Sequence, residues 1–212
     1  MSLQFVDGQH DVSGEVDGHA YVDLDLPSGT LWATCNVGAD TPERFGDYFA
    51  WGETQPKEVF NWDTYVFYDS TGLTKYTKDD GLKQLLPEDD AATVNWGEGW
   101  RMPTLKEWKE LIKNTENEWV VRDTIAGMLF TATNGNSLFI PAAGDYCIYN
   151  LVRPGELGQY WAKNLVASDP GYAWSFSFFM HDYGMSQYYR RYNGRSIRPV
   201  CTFVKEREES VD

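Results

Sequence analysis

His181 stands next to Asp182, the two residue types from which a general base and its orienting carboxylate are made. No serine or cysteine is tied to the pair by spacing, so a histidine in a turn is the better reading. Carboxylates are plentiful: Asp79, Asp80, Glu88, Asp89, Asp90 and Glu98 crowd one stretch, and a glycosidase draws its acid and base from two such groups. In a chain with 32 Asp+Glu, pairs of that kind arise by chance, and a solvated acidic face is the better reading. The nucleophile elbow G-x-S-x-G, the Walker loop and the dinucleotide fingerprint G-x-G-x-x-G are all absent. Asp23-Leu24-Asp25 and Asp79-Asp80-Gly81 are fragments of calcium-ligating patterns, but neither completes an EF-hand loop. No cofactor is therefore expected, with a structural calcium left open. Cys35, Cys147 and Cys201 form no C-x-x-C, and with His10, His19 and His181 they assemble no zinc site by spacing. Their odd number allows one internal disulfide and one leftover thiol, or buried free thiols throughout.

The C-terminal third carries a different kind of chemistry. From Tyr160 to Tyr192 the chain holds 11 aromatic residues, among them Trp174, Phe176 and Phe178 alternating with Ser175 and Ser177. Strand side chains alternate between two faces, so these rings cannot all enter one core. Tyr with Arg and Ser is the palette of recognition surfaces, since the ring gives rigid contact area and the hydroxyl a polar tip. Cross-strand aromatic pairing is the structural alternative. The residues expected on a binding face are Tyr172, Trp174, Tyr183, Gln187, Tyr189 and Arg191, with Trp174 the one that a core would also accept. Alanine at Tyr189 or Arg191 is expected to weaken binding while leaving the melting temperature within a few degrees.

The elements that position these residues can be read from period and punctuation. Tyr21–Leu24 reads as a strand and Leu26–Gly29 as a turn; Leu31, Ala33, Cys35 and Val37 alternate as a half-buried strand. Residues 38–81 show no helical period and are expected to form ordered loops with short strands. Pro87-Glu88-Asp89-Asp90 before Ala91-Ala92 signals a helix start. Thr104 and Glu107 form a capping box, followed by the stripe Leu105, Trp108, Leu111 and Ile112 of an amphipathic helix ending near Asn114. Strands are expected at 119–121, 128–131 and 137–141. His181–Gly184 turns the chain, and Asn193-Gly194 reads as a hairpin before a last strand with Ile197, Pro199, Cys201 and Phe203 on one face. With 212 residues the chain suits one domain: a flexible leader over 1–18, an α+β domain over 19–204 and a charged tail over 205–212.

Composition narrows the function classes further. At 42% hydrophobic, 16% aromatic and 24% charged the chain is a folded one, and its 18 Lys+Arg against 32 Asp+Glu leave a net charge of −14. That balance argues against nucleic acid and against anionic membrane surfaces, both of which need clustered cations. No apolar run is long enough to cross a bilayer, and no secretory signal opens the sequence.

Trp100-Arg101-Met102-Pro103-Thr104, with Glu107 and Trp108, resembles a signature of the C-type-lectin-like group. That group includes the formylglycine-generating enzyme superfamily and the variable proteins of diversity-generating retroelements. The closer resemblance is to the Fibrobacter succinogenes major paralogous domain family, abundant in surface proteins of gut Bacteroidetes. It is carried by the run from Tyr21 to Gly38, by Gly46–Glu53, Asp89–Ala92, Pro141–Gly144, Tyr160-Trp161 and Ser196–Val200, and so covers about residues 20–203. The resemblance implies a C-type-lectin-like fold of small mixed sheets, two helices and long ordered loops, with the N- and C-terminal strands adjacent. It also implies that Cys35 and Cys201 lie on neighbouring strands and could pair. In the retroelement-diversified relatives the segment before the last strand is the variable binding surface, which here is roughly Trp161–Arg195. Two departures weaken other branches. The redox cysteine pair or copper site of the oxidases has no flanking match at Cys147 or Cys201, and the Glu-Pro-Asn or Gln-Pro-Asp triplet of calcium-dependent lectins is missing. The expectation is a non-catalytic, monomeric adhesion module at an extracellular or outer-membrane surface, binding a glycan or a protein. An enzyme of the formylglycine-generating or glycosidase type and a structural module of a surface assembly are the alternatives.

Overall fold

A computed structural model describes residues 4–5 and 11–202; Phe203 and the tail expected over 205–212 lie outside them. In chain order the strands are β1 (Gln4–Phe5), β2 (Gly14–Val16), β3 (His19–Val22), β4 (Leu31–Ala33), β5 (Tyr68–Asp69), β6 (Gly72–Leu73), β7 (Thr115–Arg122) and β8 (Ile125–Ala132). They continue as β9 (Ser137–Pro141), β10 (Asp145–Cys147), β11 (Asn150–Val152), β12 (Gly158–Leu165), β13 (Tyr172–Phe179), β14 (Asp182–Arg190) and β15 (Val200–Cys201). Two helices, α1 (Ala91–Trp96) and α2 (Leu105–Asn114), lie between β6 and β7. The fold is thus α+β, with mostly antiparallel sheets in the orders β1-β7-β8-β9, β15-β4-β3-β2 and β12-β13-β14 beside two small hairpins.

The β2–β3 hairpin corrects the reading of residues 11–18 as a flexible leader. Asp17 and Gly18 occupy its two-residue turn with φ of 49° and 79°, the left-handed geometry that Asp-Gly accepts most readily. Further upstream, β1 pairs in parallel with β7 through Gln4↔Val120 and Phe5↔Val121. β4 lies between β3 and the C-terminal β15, with Cys201 opposite Leu31 and Val200 opposite Trp32. That register overturns the Cys35–Cys201 pairing. Cys201 faces Leu31, whereas Cys35 lies two residues beyond the end of β4 in a bend, off the paired register. All three cysteines are free.

The helix signals are met locally. Thr104 Oγ1 accepts from the Glu107 N–H at 3.2 Å while Glu107 accepts from the Thr104 N–H at 2.7 Å. Pro87–Asp89 forms a short 3-10 turn, and Asp90, fully buried, caps α1 by accepting from the Ala92 and Thr93 N–H groups. The same carboxylate accepts from the Met102 N–H at 3.0 Å, so the acidic run helps to lock α1 to the segment that leads into α2. Burial pushes the Asp90 carboxyl up, against the pull of the Met102 N–H and Lys163. Glu107 also takes a bidentate contact from Arg101, with Nη1 at 2.8 Å, and Trp100 Nε1 donates to the Val16 C=O at 3.0 Å. The Trp-Arg-Met-Pro-Thr run is therefore a structural knot that joins β2, α1 and α2.

Two hydrophobic cores flank the β12–β14 sheet. Tyr160, Ala162, Phe176 and Phe178 enter one core together with Trp108 and Leu111 of α2 and Phe130 and Ile140 of β8 and β9. Trp161, Leu165 and Ala173 enter the other, with Trp51, Tyr76, Trp96 and Trp100 from the loop-rich half. Alternation along β12 and β13 accounts for the division. Asn193-Gly194 makes no hairpin. Gly194 instead exchanges both backbone hydrogen bonds with Tyr146, at 2.7 and 3.0 Å, and a Cβ there would meet the Phe60 ring at 2.6 Å. The glycine serves close packing rather than a turn.

Candidate recognition surface

β13 and β14 form a hairpin turned at Met180-His181, with Phe179 opposite Asp182, Phe178 opposite Tyr183, Phe176 opposite Met185 and Ser175 opposite Ser186. Between Ser175 and Ala173 the register shifts: three residue steps on β14 match two on β13, which is a bulge at Gln187-Tyr188. Residues directly opposite share a face, so the register and the bulge sort the aromatic residues.

Tyr172, Trp174 and Tyr183 lie on the face of Phe176 and Phe178. Trp174 is half-buried against that core, with Lys109 Nζ of α2 6.0 Å from its ring centroid. Tyr183 is 43% exposed and its hydroxyl accepts from Asn117 Nδ2 at 3.4 Å. Tyr172 faces Arg190, whose guanidinium carbon sits 4.2 Å from the ring centroid. Gln187 is half-buried within the bulge, and its neighbour Tyr188, at 78% exposure, is the most exposed large ring of the described residues.

Tyr189 turns to the opposite face. It packs against the second core with its ring 3.9 Å from the Arg195 guanidinium, which Trp161 covers from 4.3 Å. Burial brings the Arg195 guanidinium down to about 10, although the Asp145 carboxylate 3.8 Å away opposes the shift. Burial likewise raises the Asp145 carboxyl despite Arg195.

Arg191 is corrected outright as a binding residue, because it is fully buried. Its Nε donates to the Tyr65 hydroxyl at 2.6 Å, Nη1 to the C=O groups of Tyr76 and Pro170 at 3.1 and 3.2 Å, and Nη2 to the Lys75 C=O at 3.0 Å. Trp51, Tyr65, Phe67 and Tyr76 surround it, each within 5.8 Å. Arg191 ties the loop-rich half to the end of β14 and presents nothing to a ligand.

What remains exposed is a surface along the hairpin: Tyr172 and Arg190 at one end, Tyr188 at the bulge, and a shallow cleft of about 340 Å³ at the other. Ser177, Phe179, Asp182, Tyr183, Gly184 and Ser186 line that cleft. Sequence reasoning singled out Tyr172, Tyr183 and the two neighbours of Tyr188; Tyr188 and Phe179 belong to the same aromatic run and Arg190 is a donor able to stack on rings, but none was among the six residues expected on the face, and Asp182 was read as part of a turn. Their signal would have been the bulge, which no local sequence pattern announces.

Several of the carboxylates weighed for acid–base work are taken up in structural contacts, and Glu88 and Asp89 share the Lys75 ammonium at 3.5 and 2.5 Å. Asp80 accepts from the Thr77 and Leu82 N–H groups, Asp89 takes Lys75 and Tyr76, and Asp90 caps α1. In the other acidic fragment, Asp23 accepts from the Asp25 N–H at 2.9 Å. Among the described residues no three His, Cys, Asp or Glu side chains are grouped to hold a metal ion, and no helix is long and apolar enough to cross a membrane. Compared with protein-family models, curated proteins and solved structures, the chain returns no match.

Proposed function

We propose that this chain is a C-type-lectin-like, non-catalytic binding module of a cell-surface or outer-membrane protein, and that it recognises a glycan through the exposed surface of the β13–β14 hairpin. The observation that carries the reading is the cleft at the hairpin, which Phe179 lines together with Ser177, Ser186 and Asp182, while the exposed ring of Tyr183 stands on the other face of the same strand pair. Rings offer flat apolar area to the C–H face of a sugar, while hydroxyls and a carboxylate meet its hydroxyl groups. Tyr188 and the Tyr172–Arg190 stack extend this surface with further rigid anchors. The resemblance through Trp100–Thr104, Glu107 and Trp108 supports the same reading. In it these residues build the scaffold, and the variable segment Trp161–Arg195 contains the hairpin.

A binding screen of the purified protein on glycan and mucin-type arrays tests the proposal, run once with calcium and once with chelator. A hit that survives chelation and is lost in Tyr183→Ala supports it. A hit lost with chelator would replace direct aromatic recognition by a calcium lectin, and a silent array with an intact fold would favour a protein ligand.

A further inference from the structure

Arg191, Arg195 and Arg198 are all fully buried, and the protein ties down only two of them. Arg191 donates four hydrogen bonds and Arg198 three. Arg195 donates none among the described residues. Its Nε, Nη1 and Nη2 all lack a hydrogen-bond partner, and the Asp145 carboxylate stands 3.8 Å from Nη2. Burying a guanidinium is costly unless its donors are met, so one kept with every donor unmet calls for an acceptor.

Other unmet groups surround it. Trp161 on β12 and Tyr189 on β14 hold the Arg195 guanidinium carbon 4.3 and 3.9 Å from their ring centroids, from the two sides of β13. On that face of β13 lies Ser175, directly opposite Trp161, and one pair further along β12 lies Gln159, opposite Ser177. Ser175 and Gln159 are buried, and Ser175 Oγ and Gln159 Oε1 likewise lack a partner.

This cluster adjoins the cleft of the hairpin. Ser186 lies opposite Ser175 and Ser177 opposite Gln159, and both of these serines line the cleft. Directly opposed residues have Cβ atoms about 4.5–5.5 Å apart, so the cleft lining is one residue from the unmet groups. Arg153 sits 5.4 Å from the Phe179 ring and brings a second cation to the cleft of a chain whose net charge is −14. With rings packed against it, the Arg195 guanidinium offers its N–H edge, and the group that matches that edge is a carboxylate, planar and bidentate.

We propose that the cluster is the inner subsite of the cleft and binds the carboxylate of an acidic sugar, Arg195 and Ser175 donating to the carboxylate and Gln159 accepting from a neighbouring sugar hydroxyl. The proposal rests on the glycan reading of the cleft and narrows it to glycans that contain a uronic acid.

Titration of the full chain with glucuronate and, separately, with glucose tests it, followed by calorimetry and by the indole N–H resonance of Trp161, whose ring packs on Arg195. The wild type should bind glucuronate at least about tenfold more tightly than glucose, as a charge-assisted hydrogen bond provides. Arg195→Met should abolish the preference and Ser175→Ala should reduce it about threefold or more. Both should keep the melting temperature within about 2 °C, because neither side chain loses a hydrogen bond to the protein. A wild type that binds glucuronate no more tightly than glucose overturns the proposal. So does a preference that survives Arg195→Met or, should that variant not fold, one that survives Ser175→Ala. Binding of neutral glycans on the array without the preference removes the subsite and leaves the glycan reading standing. Arg195-dependent binding of glucuronate with a silent array keeps the carboxylate subsite and removes that reading.

Discussion

Replacing Arg191 with methionine keeps much of the side chain's volume and removes its hydrogen bonds. Four acceptors then lose their donor inside the protein: the C=O groups of Lys75, Tyr76 and Pro170 and the hydroxyl oxygen of Tyr65. A hydrogen bond to a charged group contributes about 1.5–3 kcal/mol net, and a buried acceptor left unmade costs about 1–3 kcal/mol. Against this stands relief of the guanidinium's own desolvation, which no buried carboxylate offsets here. Taking about 1 kcal/mol for each of four bonds after that relief puts Arg191→Met near 4 kcal/mol less stable. For a chain of this size about 2–4 °C of melting temperature goes with each kcal/mol, so the midpoint should fall by about 8–16 °C. Urea and thermal unfolding followed by tryptophan fluorescence measure it directly, since Trp51 lies 5.1 Å from the Arg191 guanidinium. A variant within about 1 kcal/mol of wild type would refute the reasoning, because the desolvation of the cation would then cancel its bonds.

Other consequences follow from the same geometry. Burial alone would raise the Glu107 carboxyl, but the Arg101 hydrogen bonds and the Thr104 N–H outweigh it and hold the group below its usual range. A carboxyl lowered on folding contributes stability above its unfolded pKa and loses it as the pH falls through the folded value. Glu107→Gln should therefore cost about 2–3 kcal/mol at neutral pH, with the gap to wild type narrowing in acid; a gap independent of pH in urea titrations would contradict the ion pair. Thiol titration of the denatured protein should give three equivalents with or without prior reduction. In the native protein the exposed Cys147 should react first, while Cys201, raised to about 11 by burial, stays silent; a fall in unreduced titre would reveal a disulfide.

How much was legible in the sequence depended on how local the cause was. The Thr104–Glu107 box and its stripe set α2 within a few residues, and both boundaries agree with the sequence reading. The strands at 119–121, 128–131 and 137–141 are cores of the longer β7, β8 and β9, whose period of two survives packing. Turn dipeptides misled in both directions. Asp17-Gly18 makes a hairpin inside a polar stretch read as a leader, whereas Asn193-Gly194 makes none, because Tyr146 and Phe60 claim that glycine. The face proposed to bind was the least legible part. The bulge at Gln187-Tyr188 separates Tyr189 from Tyr183, and the partners that bury Arg191 come from residues 65–76 and 170, far away in sequence.

The central claim is that the hairpin surface binds while the scaffold beneath it only holds it in place. Tyr188→Ala is the most direct test, because the ring is 78% exposed and belongs to none of the buried cores. With the glycan found on the array titrated by calorimetry, truncating an anchoring tyrosine should weaken binding about tenfold or more, with the melting temperature unchanged within about 2 °C. Unchanged affinity in both Tyr188→Ala and Tyr183→Ala, with the fold intact, would contradict the account and move the binding site off the hairpin.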